Sequence, residues 1–183
     1  MTEPFITIGH STRSVGELAS LLTANDVKLL IDVRKMPRSR TNPQFNADVL
    51  GASLKAYGIA YRHMEALGGL RGKTRDIAPD TNAYWENASF RRYADYAMTD
   101  EFRAAFEELR AIGREKRSAI MRAEAVWWRC HRRIITDYLM AAGEDVFHIV
   151  SNDVPEPAKM TPAARPGPNA TLVYPVEAGY APE

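Results

Sequence analysis

The sequence has a single cysteine, Cys130, among its 183 residues. One thiol excludes a disulfide within the chain and any zinc or redox site of the CxxC type. No apolar run approaches the roughly 18 residues of a membrane span, and the N-terminus lacks the basic start and long apolar core of a secretory signal. We therefore expect a cytoplasmic protein with no membrane partner.

An excess of charge of one sign is also missing. The chain has 24 Lys and Arg against 23 Asp and Glu, so its net charge of +1 indicates neither nucleic acid nor a membrane surface as partner. No histidine pair has metal-ligand spacing, so we expect no structural metal and no cofactor. Length and a 45% hydrophobic composition are those of an ordinary globular domain.

Short apolar runs alternate with helical patterns along the first 150 residues. Such alternation indicates βαβ crossovers and a parallel sheet that helices cover on both faces. We predict a single three-layer α/β/α domain, Rossmann-like, over residues 1–150, with a mostly parallel sheet of about five strands. The runs lie at residues 5–8, 28–31, 59–61, 118–121 and 145–150.

Polar residues that favour helix starts precede several of these helical patterns. Ser14 and Glu17 fit a capping box, and Asn46 and Thr99 are typical caps for a second and a third helix. A fourth helix is predicted around residues 134–139. Glycines mark the predicted helix ends at Gly58, Gly113 and Gly143.

Two regions depart from this regular alternation. The segment 64–98 is unusually long for a crossover, so its first part, 64–86, is either a functional loop or disordered; whether it closes as a lid stays open. Residues 151–183 hold seven of the 11 prolines. We expect them to form an extended Pro-rich C-terminal extension, partly packed on the domain, with residues 171–174 as a short edge strand.

Polar side chains follow the predicted strands at the points where the strands end. The carboxyl ends of parallel strands lie at one edge of the sheet, where ligands bind in such folds. We therefore expect these distant residues to gather at that carboxyl edge. The strand ends supply His10, Ser11, Asp32, Arg34, Arg62, His63 and Glu124, and the following loops supply Arg38, Arg40, Asn42, Arg71, Cys130, His131 and Arg132.

Positive charge is concentrated in the same segments. Residues 26–75 contain ten Lys or Arg and four Asp or Glu, and residues 114–133 contain seven and two. Guanidinium groups suit phosphate and carboxylate, and helix N-termini at this edge attract anions. The pattern predicts an anionic, phosphate-bearing ligand, the alternative being solvated surface charge.

Two interpretations are open for several of these residues. Burial at a strand end would raise the pKa of Glu124 toward general acid or base use, or Glu124 forms a structural salt bridge. His131 needs a partner such as Glu124, and His10 is either a proton-transfer group or a structural histidine. Asp32 could act as a base or cap a loop, and the role that we expect is to orient Arg34.

Cys130 is expected to lie within a helix, one turn before Ile134, either as a buried inert thiol or as a nucleophile activated by the helix N-terminus.

Arg122 shares a strand face with Glu124, and an unpaired buried guanidinium would cost several kcal/mol. We therefore predict that Arg122 pairs with Glu124 or Asp32, or points into solvent.

Seven motifs in this order resemble the domain of unknown function 488 family, over residues 4–150. The resemblance implies a small three-layer α/β domain, found mainly in bacteria, without a settled reaction. Its signature positions correspond to His10, Ser11, Asp32, Arg34, Arg38, Arg40, Asn42, Phe45, Glu124, Cys130, His131 and Arg132. The motifs are Thr7-Ile8-Gly9-His10-Ser11, Ile31-Asp32-Val33-Arg34 with Pro37-Arg38-Ser39-Arg40, Asn42-Pro43-Gln44-Phe45, Leu67-Gly68-Gly69, Phe90-Arg91-Arg92-Tyr93-Ala94, Ala123-Glu124 and Cys130-His131-Arg132.

One position departs from the family pattern. Family members commonly have a cysteine two residues before the glutamate, and this chain has Arg122 there. Cys130 is therefore left without a second thiol, which puts two-thiol or metal-thiolate chemistry in doubt. Arg122→Cys is expected to leave folding intact.

Three functions are compatible with these residues. The first is hydrolysis or group transfer on a phosphate-bearing nucleotide or nucleic acid, with Glu124, His131 and His10 as catalytic residues. Its substrate-binding residues would be Ser11, Asp32, Arg34, Arg38, Arg40, Asn42, Arg71 and Arg132.

The second function is a non-catalytic module that binds nucleic acid or a phosphorylated metabolite, with Phe45, Trp127 and Trp128 near basic residues. The third is rhodanese-like thiol or sulfur chemistry with Cys130 as nucleophile. That chemistry needs a cysteine in a tight loop after a strand, whereas Cys130 is predicted to lie in a helix. The sequence does not determine the oligomeric state.

Overall fold

A six-stranded sheet forms the middle layer of the computed structural model, which describes residues 2–177. Its strand order is β3-β2-β4-β1-β5-β6, and every pairing is parallel except that of β6, which runs antiparallel to β5. The predicted α/β fold with a mostly parallel sheet is confirmed. The strands are β1 (Phe5–Gly9), β2 (Leu29–Asp32), β3 (Ala60–His63), β4 (Ser118–Arg122), β5 (Val146–Ile149) and β6 (Glu156–Pro157).

Five α-helices in the described residues cover the two faces of this sheet. Side chains alternate along each strand, so Ile6 and Ile8 face one side while Phe5 faces the other. Helices α1 and α2 pack on the first side, the α1–α2 face, and α3, α4 and α5 pack on the second, the α3–α5 face. The helices are α1 (Val15–Ala24), α2 (Ala47–Lys55), α3 (Ala88–Tyr96), α4 (Asp100–Glu115) and α5 (Arg132–Ala141).

Two of the predicted helix starts are built as the sequence indicates. Ser14 and Glu17 form the capping box of α1, and the Thr99 hydroxyl accepts a hydrogen bond from the amide of Phe102 in α4. Asn46 precedes α2, but its side chain accepts from the amide of Ser39 at 2.6 Å. Asn46 therefore fixes the loop before the helix and does not cap the helix.

Two of the predicted helix ends are correct and one is wrong. Gly58 and Gly143 follow α2 and α5 with φ of 72° and 83°, a backbone conformation that favours glycine. Gly113 lies inside α4, which continues to Glu115. A Cβ at position 113 would come within 2.1 Å of the Phe5 ring, so this glycine permits close helix–sheet packing.

The long segment 64–98 contains a helix that the sequence analysis did not predict. Helix α3 places Tyr93 and Tyr96 in the core, where their hydroxyl groups donate to the carbonyls of Leu67 and Ala66. These two bonds attach the irregular residues before α3 to the helix. The segment thereby packs over the α3–α5 face.

Residues 151–177 are anchored in the core through one buried carboxylate. Asp137 in α5 accepts from the Thr161 amide and from the Tyr174 hydroxyl, each at 2.9 Å, and Tyr174 is fully buried. Two short strands, β7 (Arg165–Pro166) and β8 (Leu172–Val173), form a separate hairpin. Residues 171–174 therefore do not add an edge strand to the main sheet, and β6 occupies that edge instead.

No helix among residues 2–177 is both long and apolar enough to cross a membrane.

Candidate functional site

The loops that follow β1 and β4 run side by side at the carboxyl edge. The amides of His10 and Ser11 donate to the carbonyls of Arg122 and Ala123 at 2.8 and 2.9 Å. This approach requires glycine at position 9, because a Cβ there would lie 1.8 Å from the Glu124 carbonyl oxygen. Distant parts of the chain are thus brought together at the edge, as the sequence analysis expects.

A network around Arg34 occupies the α1–α2 side of this edge. Arg34 donates from Nε and Nη2 to the two carboxylate oxygens of Asp32 at 2.9 and 2.6 Å, and from Nη2 to the Phe45 carbonyl at 2.6 Å. The Tyr61 hydroxyl also donates to Asp32, at 2.6 Å. We refer to Asp32, Arg34, Phe45, Tyr61 and His10 as the Asp32–Arg34 network.

His10 completes the network as a neutral imidazole. Its Nε2 lies 3.3 Å from Nη1 of Arg34, which can only donate, so Nε2 accepts and Nδ1–H donates to the Ser11 carbonyl at 2.8 Å. The ring stacks on Phe45 with centroids 4.3 Å apart. Burial lowers the pKa of His10, which agrees with this neutral form. Arg34 therefore uses four of its five N–H donors within the protein.

A second group of polar residues occupies the α3–α5 side, and we call it the Arg122–His131 cluster. Arg122 Nε lies 3.6 Å from Glu124 Oε2, so of the three arrangements predicted for Arg122 the ion pair with Glu124 is the one observed. His131 Nε2 lies 3.1 Å from the Ser89 hydroxyl, and its ring packs between Phe90 and Tyr93. The cluster comprises Gly69, Ser89, Arg122, Glu124 and His131.

Electrostatics in this cluster differ from the expectation for Glu124. Burial acts to raise the pKa of Glu124, but the Arg122 guanidinium, hydrogen bonds from the backbone of Glu124 and from the Cys130 thiol, and the Arg132 charge together outweigh burial, and the pKa is lowered. The expected rise is therefore wrong. Burial, reinforced by Arg122, lowers the pKa of His131 to about 4. At neutral pH the cluster holds an ionised Glu124 and a neutral His131.

Arg132 adds positive charge directly behind the cluster. It is 1% exposed, and its Nη2 donates to the backbone carbonyl of Glu124 at 2.7 Å. Arg132 forms no ion pair with any residue in the range 2–177, and its Nε has no hydrogen-bond partner there. Three buried guanidinium groups, those of Arg34, Arg122 and Arg132, thus lie at an edge with two carboxylates, Asp32 and Glu124.

Cys130 lies outside any helix, contrary to the expectation. It follows a short 3-10 turn, Trp127–Arg129, and precedes α5. Its Sγ accepts from the amide of Arg132 at 3.4 Å. Burial nevertheless raises the pKa of the thiol, against the pull of Arg132 and Arg122, so Cys130 is a thiol at neutral pH.

The remaining predicted binding residues fall into exposed and structural groups. Arg38 and Arg40 are exposed in the loop after β2, close in sequence to half-buried Asn42. Arg71 donates from Nε to the Gly68 carbonyl and from Nη2 to the Glu65 carbonyl, and its guanidinium lies 3.9 Å above the Tyr96 ring. The contacts of Arg71 therefore hold its own loop in place.

Three residues of this edge were not predicted from the sequence as site residues. Arg13 donates to the carbonyls of Gly9 and Val150, which joins the ends of β1 and β5. Ser89 orients His131, and Gly69 lies against the Arg122 and His131 side chains. The Gly68-Gly69 doublet was the available signal, since adjacent glycines often mark close backbone approach.

The aromatic residues proposed for base stacking also separate. Trp127 stacks on buried His148 with centroids 4.6 Å apart, and His148 Nδ1 lies 2.6 Å from the Thr7 hydroxyl. Trp127 and His148 are thus packing residues. Trp128 is 47% exposed. Within residues 2–177 no group of three or more His, Cys, Asp or Glu is placed to hold a metal ion.

The fold and this edge define a three-layer α/β protein with a basic cluster at the carboxyl ends of its parallel strands. The family model described as Domain of unknown function DUF488 matches residues 14–139, well over half of the chain, and the protein belongs to this family. No curated protein and no solved structure matches the chain.

Proposed function

We propose that the carboxyl edge binds a phosphate-bearing nucleotide or nucleic acid and acts on it by hydrolysis or group transfer. The observation that supports this proposal is the excess of buried positive charge. Arg132 is buried without an ion pair in the described residues, and a buried charge without a counter-charge is costly. An anionic ligand at the edge would offset that cost.

Phosphate fits the donors better than a simple halide or a neutral ligand. Planar guanidinium groups match the spacing of phosphate oxygens. Helix α5 begins at Arg132, so the positive end of its dipole also favours an anion at this edge. Exposed Arg38 and Arg40, with Asn42 and Ser11, would contact the outer part of the ligand. In this proposal Asp32, Arg34 and Arg71 hold the surrounding loops.

Glu124 is the residue best suited to act on the bound phosphate compound. Its side chain is 40% exposed and ionised at neutral pH, so it would serve as a base toward water or a substrate hydroxyl. His131 is neutral in the free protein, and a phosphate beside it would raise its pKa toward the range of a general acid. His10 would position the substrate or a water from its fixed neutral form.

Glu124→Gln tests the catalytic part of this proposal. The variant is assayed with a panel of nucleotides and oligonucleotides, and we expect turnover to fall by about 100-fold or more while binding is kept. Glu115→Gln, at the exposed last residue of α4, is the matched control and should keep full activity. Wild-type turnover in Glu124→Gln would contradict the assignment of Glu124.

A binding module without turnover is the second candidate, and exposed Trp128, which Arg129 follows in the chain, favours it. Such a module would bind oligonucleotides with an affinity that falls by about 0.7–0.9 log units per phosphate contact for each tenfold rise in salt. Oligonucleotide binding without turnover in either wild type or Glu124→Gln would favour this candidate.

Loss of turnover on alkylation of Cys130, with the fold intact, would instead favour thiol chemistry.

A further inference from the structure

Three buried nitrogen atoms of the Arg122–His131 cluster lack hydrogen-bond partners among residues 2–177. They are Nε and Nη1 of Arg122 and Nδ1 of His131. Arg122 is 8% exposed and His131 is 9% exposed, so bulk water does not solvate these groups freely. Arg122 Nε faces Glu124 Oε2, which also lacks a hydrogen-bond partner, at 3.6 Å, so Arg122 Nη1 and His131 Nδ1 are the two nitrogens left without a facing group. Buried polar groups without partners are rare in native proteins, so this neighbouring pair indicates a missing ligand.

Gly69 shows where these nitrogens converge. A Cβ at position 69 would lie 3.0 Å from His131 Nδ1, 3.0 Å from Arg122 Nη1 and 3.1 Å from Arg122 Nη2. Nδ1 and Nη1 are therefore at most about 6 Å apart, a separation that one oxygen atom can bridge with two hydrogen bonds of ordinary length. Both side chains therefore pack against the Gly69 backbone, and a side chain at position 69 would press on them.

The geometry points to a seat for one terminal phosphate group, formed by Arg122, His131 Nδ1 and the side-chain-free Gly69. This inference rests on the proposed function and assigns a binding role to Arg122, which the sequence analysis treats only as an ion-pair partner. The Arg122 side chain is only 10% exposed to solvent. Such a closed seat suits the end of a phosphorylated molecule better than a diester inside a chain.

The groups that face His131 are consistent with this assignment. Ser89 on α3 lies against Nε2, so Nδ1 is the ring nitrogen directed at the seat, without a hydrogen-bond partner in the described residues. The Phe90 and Tyr93 rings on α3 cover the imidazole. From the β4 side, the Arg122 guanidinium attracts an anion and the Glu124 carboxylate repels it.

Arg122 also connects the seat to Glu124. Its Nε lies 3.6 Å from Glu124 Oε2, whereas Nη1 and Nη2 lie against Gly69. One guanidinium can therefore hold the phosphate on one edge and the carboxylate on another. This arrangement keeps the proposed base next to the phosphate and prevents direct contact between the two anions.

Gly69→Ala and Arg122→Gln test the seat, with inorganic phosphate and a nucleoside monophosphate as probes. Titration calorimetry should show affinity for each probe weakened by about tenfold or more in both variants. Gly72→Ala, in the same loop but with nothing within 4 Å of the added Cβ, should bind as wild type does. The Cβ at position 69 meets mainly flexible side-chain ends, and Arg122→Gln provides the test if that variant fails to fold.

Imidazole resonances give a readout that a purely structural role would not move. Phosphate should raise the pKa of His131 in wild type and leave it unchanged in Arg122→Gln. An oligonucleotide with a 5′-phosphate should bind more tightly than the same sequence with a 5′-hydroxyl. Equal binding of these two oligonucleotides would overturn the terminal-phosphate seat.

The outcomes separate the seat from the proposed function. If wild type binds nucleotides and both variants bind them equally well, the seat is wrong and the proposed function stands. If wild type binds none of the phosphate probes, the proposed function and the seat are both wrong. Binding of inorganic phosphate alone, lost in both variants, would support the seat and contradict a nucleotide substrate.

Discussion

Two polar groups of similar composition lie at the same edge of the sheet and differ in how completely they are paired. The Asp32–Arg34 network contains a histidine, an arginine and a carboxylate, and its arginine makes four hydrogen bonds within the protein. The Arg122–His131 cluster also contains a histidine, an arginine and a carboxylate, yet three of its buried nitrogens have no hydrogen-bond partner in the described residues. Residue type alone therefore does not distinguish a structural from a binding role.

The difference follows from where each carboxylate lies. Asp32 ends a central strand and is fully buried, so a bidentate arginine is the arrangement that stabilises its charge. Glu124 lies beyond the end of β4 with a 40% exposed side chain, and water solvates part of its charge. Arg122 is consequently held loosely, and its remaining donors stay available to a ligand.

The largest effect is expected at the fully paired network. Asp32→Ala leaves the Arg34 guanidinium buried without its counter-charge, and we expect it to lower the free energy of unfolding by about 3–5 kcal/mol. Urea denaturation of the purified variant measures this loss. Asp100→Ala, at a 97% exposed partner of Arg103, removes an exposed ion pair and should change stability little.

A small loss in Asp32→Ala would contradict the assignment of the network as structural. Asp32 and Arg34 would then have to be weighed again as ligand-binding residues.

Most of the framework of this edge could be predicted from the sequence. Short apolar runs locate the strands, and the rule that parallel strands end together places His10, Asp32 and Glu124 at one edge. Asp32 and Arg34 are two residues apart in one segment, so their pairing was also predictable. Packing against distant residues could not be read in this way: Gly113 faces the Phe5 ring inside a helix that local signals predict to end there.

The pKa shifts in the Arg122–His131 cluster could not be predicted from the sequence for a related reason. The pKa of Glu124 depends on the balance between burial and the distance to Arg122, and that distance is set by tertiary structure. The unpaired nitrogens facing Gly69 likewise depend on how the loop after β3 packs over α5. A sequence indicates which groups reach the edge, but it does not indicate which of them find partners.

The pH dependence of stability should be intermediate in size. Burial lowers the pKa of His131 to about 4 and that of His148 to about 3, both below the ordinary value of 6.5. The unfolded chain therefore binds more protons than the folded protein between pH 6.5 and 4, so stability falls as the pH falls through this range. Each such histidine contributes a slope of up to about 1.4 kcal/mol per pH unit.

Urea denaturation between pH 7 and pH 4 measures this slope. His131→Gln should flatten it. Added phosphate should also flatten the slope, because it favours protonated His131 in the folded state, and this effect should be missing in Arg122→Gln. A slope in wild type that His131→Gln leaves unchanged would mean that His131 is solvated in the folded protein.

The smallest change in stability is expected when Arg122 is removed from the Arg122–His131 cluster. Arg122→Cys removes a guanidinium that makes one loose ion pair with a partly exposed carboxylate, so the free energy of unfolding should stay within about 1 kcal/mol of wild type. Arg34→Cys, the matched variant of the other half, leaves Asp32 buried without its partner and should cost about 3–5 kcal/mol. Chemical denaturation of the two variants side by side compares them. If Arg122→Cys lowers the free energy of unfolding as much as Arg34→Cys does, Arg122 is a structural residue. The proposed difference in pairing between the Asp32–Arg34 network and the Arg122–His131 cluster then does not hold.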